Sequence, residues 1–459
     1  MSAPTVLLLA LVASSTPPAS SSAPVPPPVP FQTKVEDPML APVPPAPQQV
    51  GTWEQALTLV RERSTDLRTA EAGVQRAEGR WRQALAALLP NARASASAAH
   101  DFLNSDTPVG VFATPALEGR KPTTPIVGTV TASLSQSLVD VGAWRNLSSN
   151  AAAERGAVAS LQDMRRRLTL GLARSLVATV AAERAAELNR VGLLQALERS
   201  ALTTRSFDLG ASNQLDVVRV NQDVALARSA LVAGDEQLRR AREALGIALG
   251  FGHAVGVEAS FNLNGLMEDA RKACTPLEDL ESRPDLVSAR AQVESSRDSR
   301  RQASAGYLPT LGLTSNLQGV TTDPDFGRFS SWSIAAVLSV PIWEGGLRGG
   351  LVREREGIEK QAEQTLESNR RDAAVEVEQA RRGVDVAQAL VKTASESREL
   401  ADRTDRLTRR SFEVGRGNSL ELVQSGAALR QAELTLALRE FELVQARLDA
   451  FLTEARCDW

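Results

Sequence analysis

Few residues in this chain have the chemistry to act on a substrate, and their spacing keeps them apart. The only histidines are His100 and His253, and the only cysteines are Cys274 and Cys457. Zinc or thiol redox chemistry needs such residues a few positions apart or in CxxC pairs, and neither pattern occurs. No GxxxxGK[ST] or GxGxxG stretch offers a phosphate cradle. The run "DMRRRL" at 163–168 reads as a solvated helix face before it reads as an anion site. Without a convergent acid, base, nucleophile or metal cluster, neither enzymatic chemistry nor a cofactor is expected.

The carboxylates are more informative, because they come in matched places. "RSFDLGASNQLDVV" begins at Arg205 and "RSFEVGRGNSLELV" at Arg410, 205 positions apart, with Asp208 matched by Glu413 and Asp216 by Glu421. The surrounding text is duplicated as well. "DLRTAEAGVQRAEGRWRQALAALLP" from Asp66 aligns without a gap to "DLVSARAQVESSRDSRRQASAGYLP" from Asp285, and "LSQSLVDVG" from Leu134 resembles "LSVPIWEGG" from Leu338. Three blocks recur in one order, so the chain is an internal duplication. Its repeats are expected at 51–250 and 282–455, joined by a connector at 251–281 and followed by a tail at 456–459.

Each repeat opens with one helix, ending before Pro90 or Pro309 because proline disfavours helix in its predecessor. The apolar period then switches to two. From Ile126, Val130, Ala132, Leu134 and Leu138 share one face while Thr129, Thr131, Ser133, Ser135 and Ser137 share the other. Leu311, Leu313 and Leu317 behave likewise, as do Trp332, Ile334, Ala336, Leu338 and Val340. In "NARASASAAHDF" Arg93, Ser95 and Ser97 form the polar side. These are two hairpins, at 91–139 and 310–341, with strands long enough to span a bilayer at about 9–11 residues each. Four strands cannot close a barrel, and an open edge in lipid leaves backbone groups unpaired. If the strands sit in a membrane, several chains must pool them.

Very long helices follow from about Gly142 and Gly346. Stretches of roughly 65 residues reach on the order of 100 Å. The returning helices carry seams: Leu231, Leu238 and Leu245 lie seven apart, and Leu434, Leu438, Phe441, Leu448 and Leu452 keep a four-three rhythm interrupted by Gln445. The duplicated sentence marks where outgoing and returning helices meet. Gly210 and Gly415 supply a tight reversal, and Asn213 and Asn418 cap the next helix.

The net charge of −3 gives no reason to expect a nucleic-acid partner. The apolar run from Val6 to Val12 is too short for a membrane anchor and resembles a secretory signal over 1–15; the proline-rich 16–50 is expected to be a disordered, extended linker.

Taken together, "SFDLGASNQLDV", "SFEVGRGNSLEL", the strand-to-helix entries "LVDVG" and "PIWEGG", and the helix ends "LLP" and "YLP" resemble the TolC-like outer-membrane efflux family. The likeness runs from Thr52 to Ala455. It implies an α+β membrane protein in the outer membrane, extending into the periplasm. As a homotrimer it would build a 12-stranded transmembrane β-barrel from four strands per chain, above an α-barrel of coiled-coil hairpins. It also implies a periplasmic adaptor and an inner-membrane transporter as partners. The tips would dock the adaptor through Phe207, Gly210, Ser212, Phe412, Gly415 and Gly417, with Asp216, Arg219, Glu421 and Gln424 near the periplasmic aperture. Phe207 and Phe412 replace a tyrosine common in the family, and Gln424 replaces a second acid. No cysteine follows the signal-like run, so a lipid anchor is not expected. Cys274 and Cys457 would both fall near mid-height, either bridged in the oxidising periplasm or as two separate thiols.

The expected function is a passive export duct. A type I protein-secretion duct is the nearest alternative, and a periplasmic coiled-coil scaffold without a channel is a more distant one.

Overall fold

The structure, a computed structural model, describes residues 35–99, 127–321, 330–414 and 416–459. Its scaffold is two very long helices, α3 (Val141–Asp208, 68 residues) and α7 (Leu347–Glu413, 67 residues). At 1.5 Å per residue each is about 100 Å long. The N-terminus of α3 is capped by Asp140, whose carboxylate accepts from the Ala143 amide at 2.8 Å. α7 starts differently: Gly345 and Gly346 take φ of +62° and +88°, conformations only glycine adopts freely.

Above mid-height α3 and α7 pack on α6 (Pro284–Ala305), and α3 also packs on α2 (Thr65–Ala86). Below it each pairs with its own return helix: α3 with α4 (Gln214–Ala248), α7 with α8 (Ser419–Thr453). The buried positions of α3 are largely small, including Ala152, Gly156, Ala159, Ala182 and Ala186. Small residues let helix backbones approach. A Cβ on Gly156 would sit 3.3 Å from that of Ala291, and the Ser288 hydroxyl reaches the Gly156 carbonyl at 3.0 Å. The seam residues Leu231, Leu238, Leu245, Leu448 and Leu452 are buried. Leu438 is not; at 38% exposed it faces away from this chain's own core.

One sheet contains the two hairpins: β2 (Asn91–Ala99), β3 (Val127–Val139), β6 (Thr310–Thr321) and β7 (Ser330–Ser339), in the order β2-β3-β6-β7 and antiparallel throughout. The pairing between the halves, β3 with β6, carries a register shift between Ser137 and Val139. Rows such as Ala132–Leu317–Trp332 lie on one face, and rows such as Ser133–Asn316–Ser333 on the other. Among the described residues β2 and β7 have no neighbour on their outer sides. Among the described residues no helix is long and apolar enough to cross a membrane.

The largest core lies at mid-height, where α1 (Trp53–Arg63), α3, α4 and α8 meet α5 (Leu266–Ala273) and two small sheets. β1 (Gln48–Val50) runs parallel to β4 (Val255–Val257), and β5 (Cys274–Pro276) antiparallel to β8 (Ala455–Cys457). Cys274 and Cys457 face each other across the second pair and form a disulfide spanning 183 positions. Packing is tight here: a Cβ on Gly246 would fall 2.0 Å from the His253 carbonyl oxygen.

Three sequence expectations need correction. The opening helix of the first repeat is two helices, α1 and α2, because Ser64 leaves the helical conformation and caps α2 by accepting from the Leu67 amide. Residues 35–50 of the proline-rich linker, the part the structure describes, are ordered. Prolines keep it extended, but Met39 and Leu40 pack on Leu193 and Leu231, and Val43 packs on Ala186 and Leu238. Arg228 and Arg242 of α4 also hold this strap, bonding the Asp37 carboxylate and the Pro44 carbonyl at 2.8 Å each. The expected signal and the earlier part of the linker lie outside the described residues. Finally, "DMRRRL" is not a solvated face: Asp163 and Arg166 are buried and bonded to each other at 2.8 Å, while only Arg167 reaches out from the same carboxylate.

Candidate functional site

The candidate site is the pair of tips and the helices just behind them. At the first tip α3 ends in a Schellman arrangement: the Ala211 amide bonds the Ser206 carbonyl at 2.8 Å and the Gly210 amide that of Phe207 at 2.9 Å. Gly210 has φ +76° with open space around it, so the backbone, not crowding, demands glycine there. α4 then starts with a full capping box: Asn213 accepts from the Asp216 amide at 3.0 Å, and Asp216 accepts from the Asn213 amide at 3.3 Å.

The second tip follows the same plan but without the full capping box, since Glu421 accepts from the Asn418 side-chain amide at 3.2 Å and not from its backbone. The Arg416 amide bonds the Ser411 carbonyl at 2.9 Å, and Asn418 accepts from the Glu421 amide at 2.8 Å. Gly417 folds back as well, its amide bonding the same Ser411 carbonyl at 3.0 Å. A Cβ on Gly417 would lie 2.9 Å from the Phe412 nitrogen, whereas its counterpart Ser212 has its side chain accommodated. Gly415 lies outside the described residues.

The other expected residues fall at these ends, with unequal exposure. Phe207 is 40% exposed and Phe412 is half-buried. Glu421 and Gln424 are exposed on the first turns of α8. Asp216 is partly buried; it pairs with Arg219 at 3.5 Å and accepts a hydrogen bond from the Ser419 hydroxyl. The two tips are thus joined to each other within one chain. Cys274 and Cys457 sit apart from all of this, in the mid-height core.

Sequence reasoning missed the buried charges behind the tips. Arg199 of α3 bonds Asp223 of α4 at 3.1 Å, and Arg430 of α8 bonds the other oxygen of Asp223 at 2.5 Å. A turn or two away, Asp405 of α7 accepts from the Ser425 hydroxyl of α8 at 3.2 Å and lies 3.5 Å from Arg409. Burial, then the like charge of Arg430, pulls the Arg199 guanidinium below its ordinary range, while Asp223 works the other way. The cluster is not fully satisfied: Arg199 Nε, Arg430 Nη1 and Thr203 Oγ1 are buried without partners. A sequence signal did exist. Gly192 and Gly426 stand inside helices where no turn needs them, and each faces an arginine. A Cβ at Gly192 would meet Arg430 Cδ at 2.8 Å, and one at Gly426 would meet Arg199 Nη1 at 2.9 Å.

Among the described residues this arrangement places no group of acidic, histidine or cysteine side chains to hold a metal. It offers a path: a two-faced sheet, long helices, and two tips tied by polar contacts.

Comparison with known proteins agrees with that form. A family model described as "Outer membrane efflux protein" matches residues 56–251 and 276–449, one segment per repeat. Nodulation protein T of Rhizobium leguminosarum bv. trifolii is 26% identical over 320 residues, 67% of this chain and 68% of that protein. The pyoverdine export outer membrane protein OpmQ of Pseudomonas aeruginosa is 25% identical, over 81% of this chain and 78% of its own length. Among solved structures, the outer membrane protein VceC of Vibrio cholerae superposes with a TM-score of 0.73 at 16% identity, covering 87% of this chain and 95% of that one. The CmeC outer membrane channel of Campylobacter jejuni gives 0.74 at 14% identity, with 87% and 84% covered.

Proposed function

The chain belongs to the outer membrane efflux protein family, and on that premise we propose that it is the passive duct of a tripartite export machine. Three copies pool their strands into one barrel in the outer membrane. Their helices continue as a tunnel across the periplasm, and an inner-membrane pump delivers substrate through a periplasmic adaptor seated on the tips.

The observation that carries this reading is the sheet. One face is mostly apolar, the other carries mostly Ser, Thr, Asn and Gln with Arg93 among them, and both edge strands are open among the described residues. Lipid would cover the first face and water the second. Open edges are not tolerated in hydrocarbon, so β7 of one copy pairs with β2 of the next. Long helices that carry charge on their outer faces suit an aqueous compartment on both sides.

At the tips, Phe207, Gly210, Ser212, Phe412, Gly415 and Gly417 form the adaptor-docking surface, and the acid-bearing first turns of α4 and α8 form the aperture. Threefold symmetry brings Glu421 close to its two copies. At about 6 Å each pair of unit charges repels by roughly 0.7 kcal/mol in bulk water and about 3 kcal/mol at an effective dielectric of 20. That repulsion favours opening and attracts cations, while the Asp216–Arg219 pair offsets charge beside it. Energy comes from the pump, and the duct itself needs no cofactor.

Native mass spectrometry of the detergent-extracted protein tests the assembly, with a trimer expected. A stable monomer that keeps full β content would sink the barrel. Planar-bilayer recording tests the duct, and Glu421→Gln should lower cation preference without changing trimer yield.

A further inference from the structure

The hydroxyl-bearing face of the sheet carries one charge. Across the four strands Arg93 is the only ionisable side chain among the described residues. It stands third in β2, on the face of Ser95 and Ser97, and its row continues through Ser133 and Asn316 to Ser333. Nearby, Ser95 pairs with Thr131 at 2.7 Å and Ser97 with Thr129 at 2.6 Å, so those hydroxyls are occupied with each other. Arg93 is exposed, and no ion pair or hydrogen bond ties its guanidinium to any described residue. The groups in its row are hydroxyls and an amide, which can bond an anion but cannot neutralise a guanidinium.

We propose that Arg93 forms a cationic collar inside the barrel that favours solutes bearing carboxylate or phosphate groups. This rests on the duct reading, since the collar is made by three copies. Its height is set by the strand: Arg93 is two residues from the start of β2, about 7 Å along it, where the helical tunnel opens into the barrel. Side chains facing a barrel lumen tune selectivity, and rings of Arg or Lys are how pores favour anions. The guanidinium fork matches a carboxylate or phosphate in two parallel bonds, and the row of Ser133, Asn316 and Ser333 supplies further donors beside it. The charge is opposite in sign to that of Glu421 at the far end. The two ends of the path then prefer opposite ions, and a solute admitted by the pump meets the collar last.

A thiol reporter tests the collar locally, whatever the aperture does. The described cysteines are both in the disulfide and none is free, so Ser133→Cys, directly opposite Arg93, gives a single reactive thiol. In the full-length trimer, anionic and cationic methanethiosulfonates are added from the extracellular side and their rates compared. With Arg93 present the anionic reagent is favoured, and the preference falls as salt is raised. Arg93→Gln should lower the anionic-to-cationic rate ratio about five-fold, Arg93→Glu should lower it further, and Arg93→Lys should retain it. A ratio unmoved by the Gln and Glu variants, or a parent ratio insensitive to salt, overturns the collar and leaves the duct standing; a carboxylate of a neighbouring copy neutralising Arg93 would give that result. A thiol closed to both charged reagents but open to a lipid-soluble maleimide puts this face in lipid, and overturns collar and duct together.

Discussion

Arg430 on α8 and Asp223 on α4 meet at 2.5 Å, with the Asp223 side chain only 3% exposed. This contact bridges the two helical hairpins of one chain, and Arg199 completes it from α3 on the other carboxylate oxygen. Two guanidinium groups therefore share one buried acid. Replacing Asp223 by Ala leaves both cations facing each other without the acid they bond, and only Asp405 remains nearby to offset Arg199. Breaking a buried pair this way typically costs about 3–5 kcal/mol. The expected result is faster hydrogen exchange in the lower halves of α4 and α8, with the mid-height core unchanged. Protection equal to the parent's would show that the contact does not hold the hairpins together.

The tip glycines have different reasons, so they should fail differently. Gly210→Val forces a β-branched residue to φ +76°, at about 1–2 kcal/mol. Trimer yield should survive, because the space around Gly210 is open, while export is lost if the turn's shape is what the adaptor reads. Ser212 is the position from which to crosslink the adaptor: Ser212→Cys keeps the side-chain size, whereas a side chain at Gly417 would strike the Phe412 backbone. Crosslinks found only from the opposite end of the molecule would invert the assigned polarity.

The Cys274–Cys457 bridge closes a loop of 183 positions and lies in the main core, with the two residues 1% and 0% exposed. Losing a native disulfide typically costs 2–5 kcal/mol. Paired Cys274→Ser and Cys457→Ser changes should lower the melting temperature of the purified protein. Maleimide should label neither cysteine in unreduced, denatured wild-type protein; full labelling of both would rule the bridge out.

The strap gives a pH prediction. A hydrogen bond from the Met39 amide, reinforced by Arg228, holds the Asp37 carboxyl below its ordinary value. A depressed carboxylate adds stability that is fully present above its unfolded pKa of about 3.9 and is lost as pH falls through the folded value. Residues 35–50 should therefore stay protected from protease down to about pH 4 and become cleavable below it. Asp37→Ala should expose them at neutral pH. A strap equally resistant at pH 3 and pH 7 would mean that Met39, Leu40 and Val43 hold it without the charge.

Much of this architecture was legible in the residues because it is written in periodicity and repetition. The switch from period 3.6 to period 2 located the four strands of the large sheet, though not the three-residue strands at mid-height, and proline and glycine marked where the long helices begin and turn. The duplicated sentence found both tips, since a left-handed turn and its cap require particular residue types. A disulfide between two distant cysteines was only one of two readings until the fold set Cys274 opposite Cys457 in adjoining strands. Nor did periodicity reveal the break at Ser64, where a side-chain cap competes with a helix that the apolar pattern alone would continue. The run at 163–168 read as a solvated face, and Arg199 and Asp223 drew no reading at all, because a charged residue inside a helix is usually at the surface. Asp163 and Arg166 pair within α3 itself, but burial of Asp223 depends on a second and third helix arriving with the opposite charge, Arg430 from 207 positions away. The strap is the same lesson in reverse: its prolines specify an extended chain, and only the groove beside α4 decides that Met39, Leu40 and Val43 have somewhere to pack. Local conformation follows from neighbours in sequence, whereas the pairing of buried charge and the docking of extended chain are settled by neighbours in space.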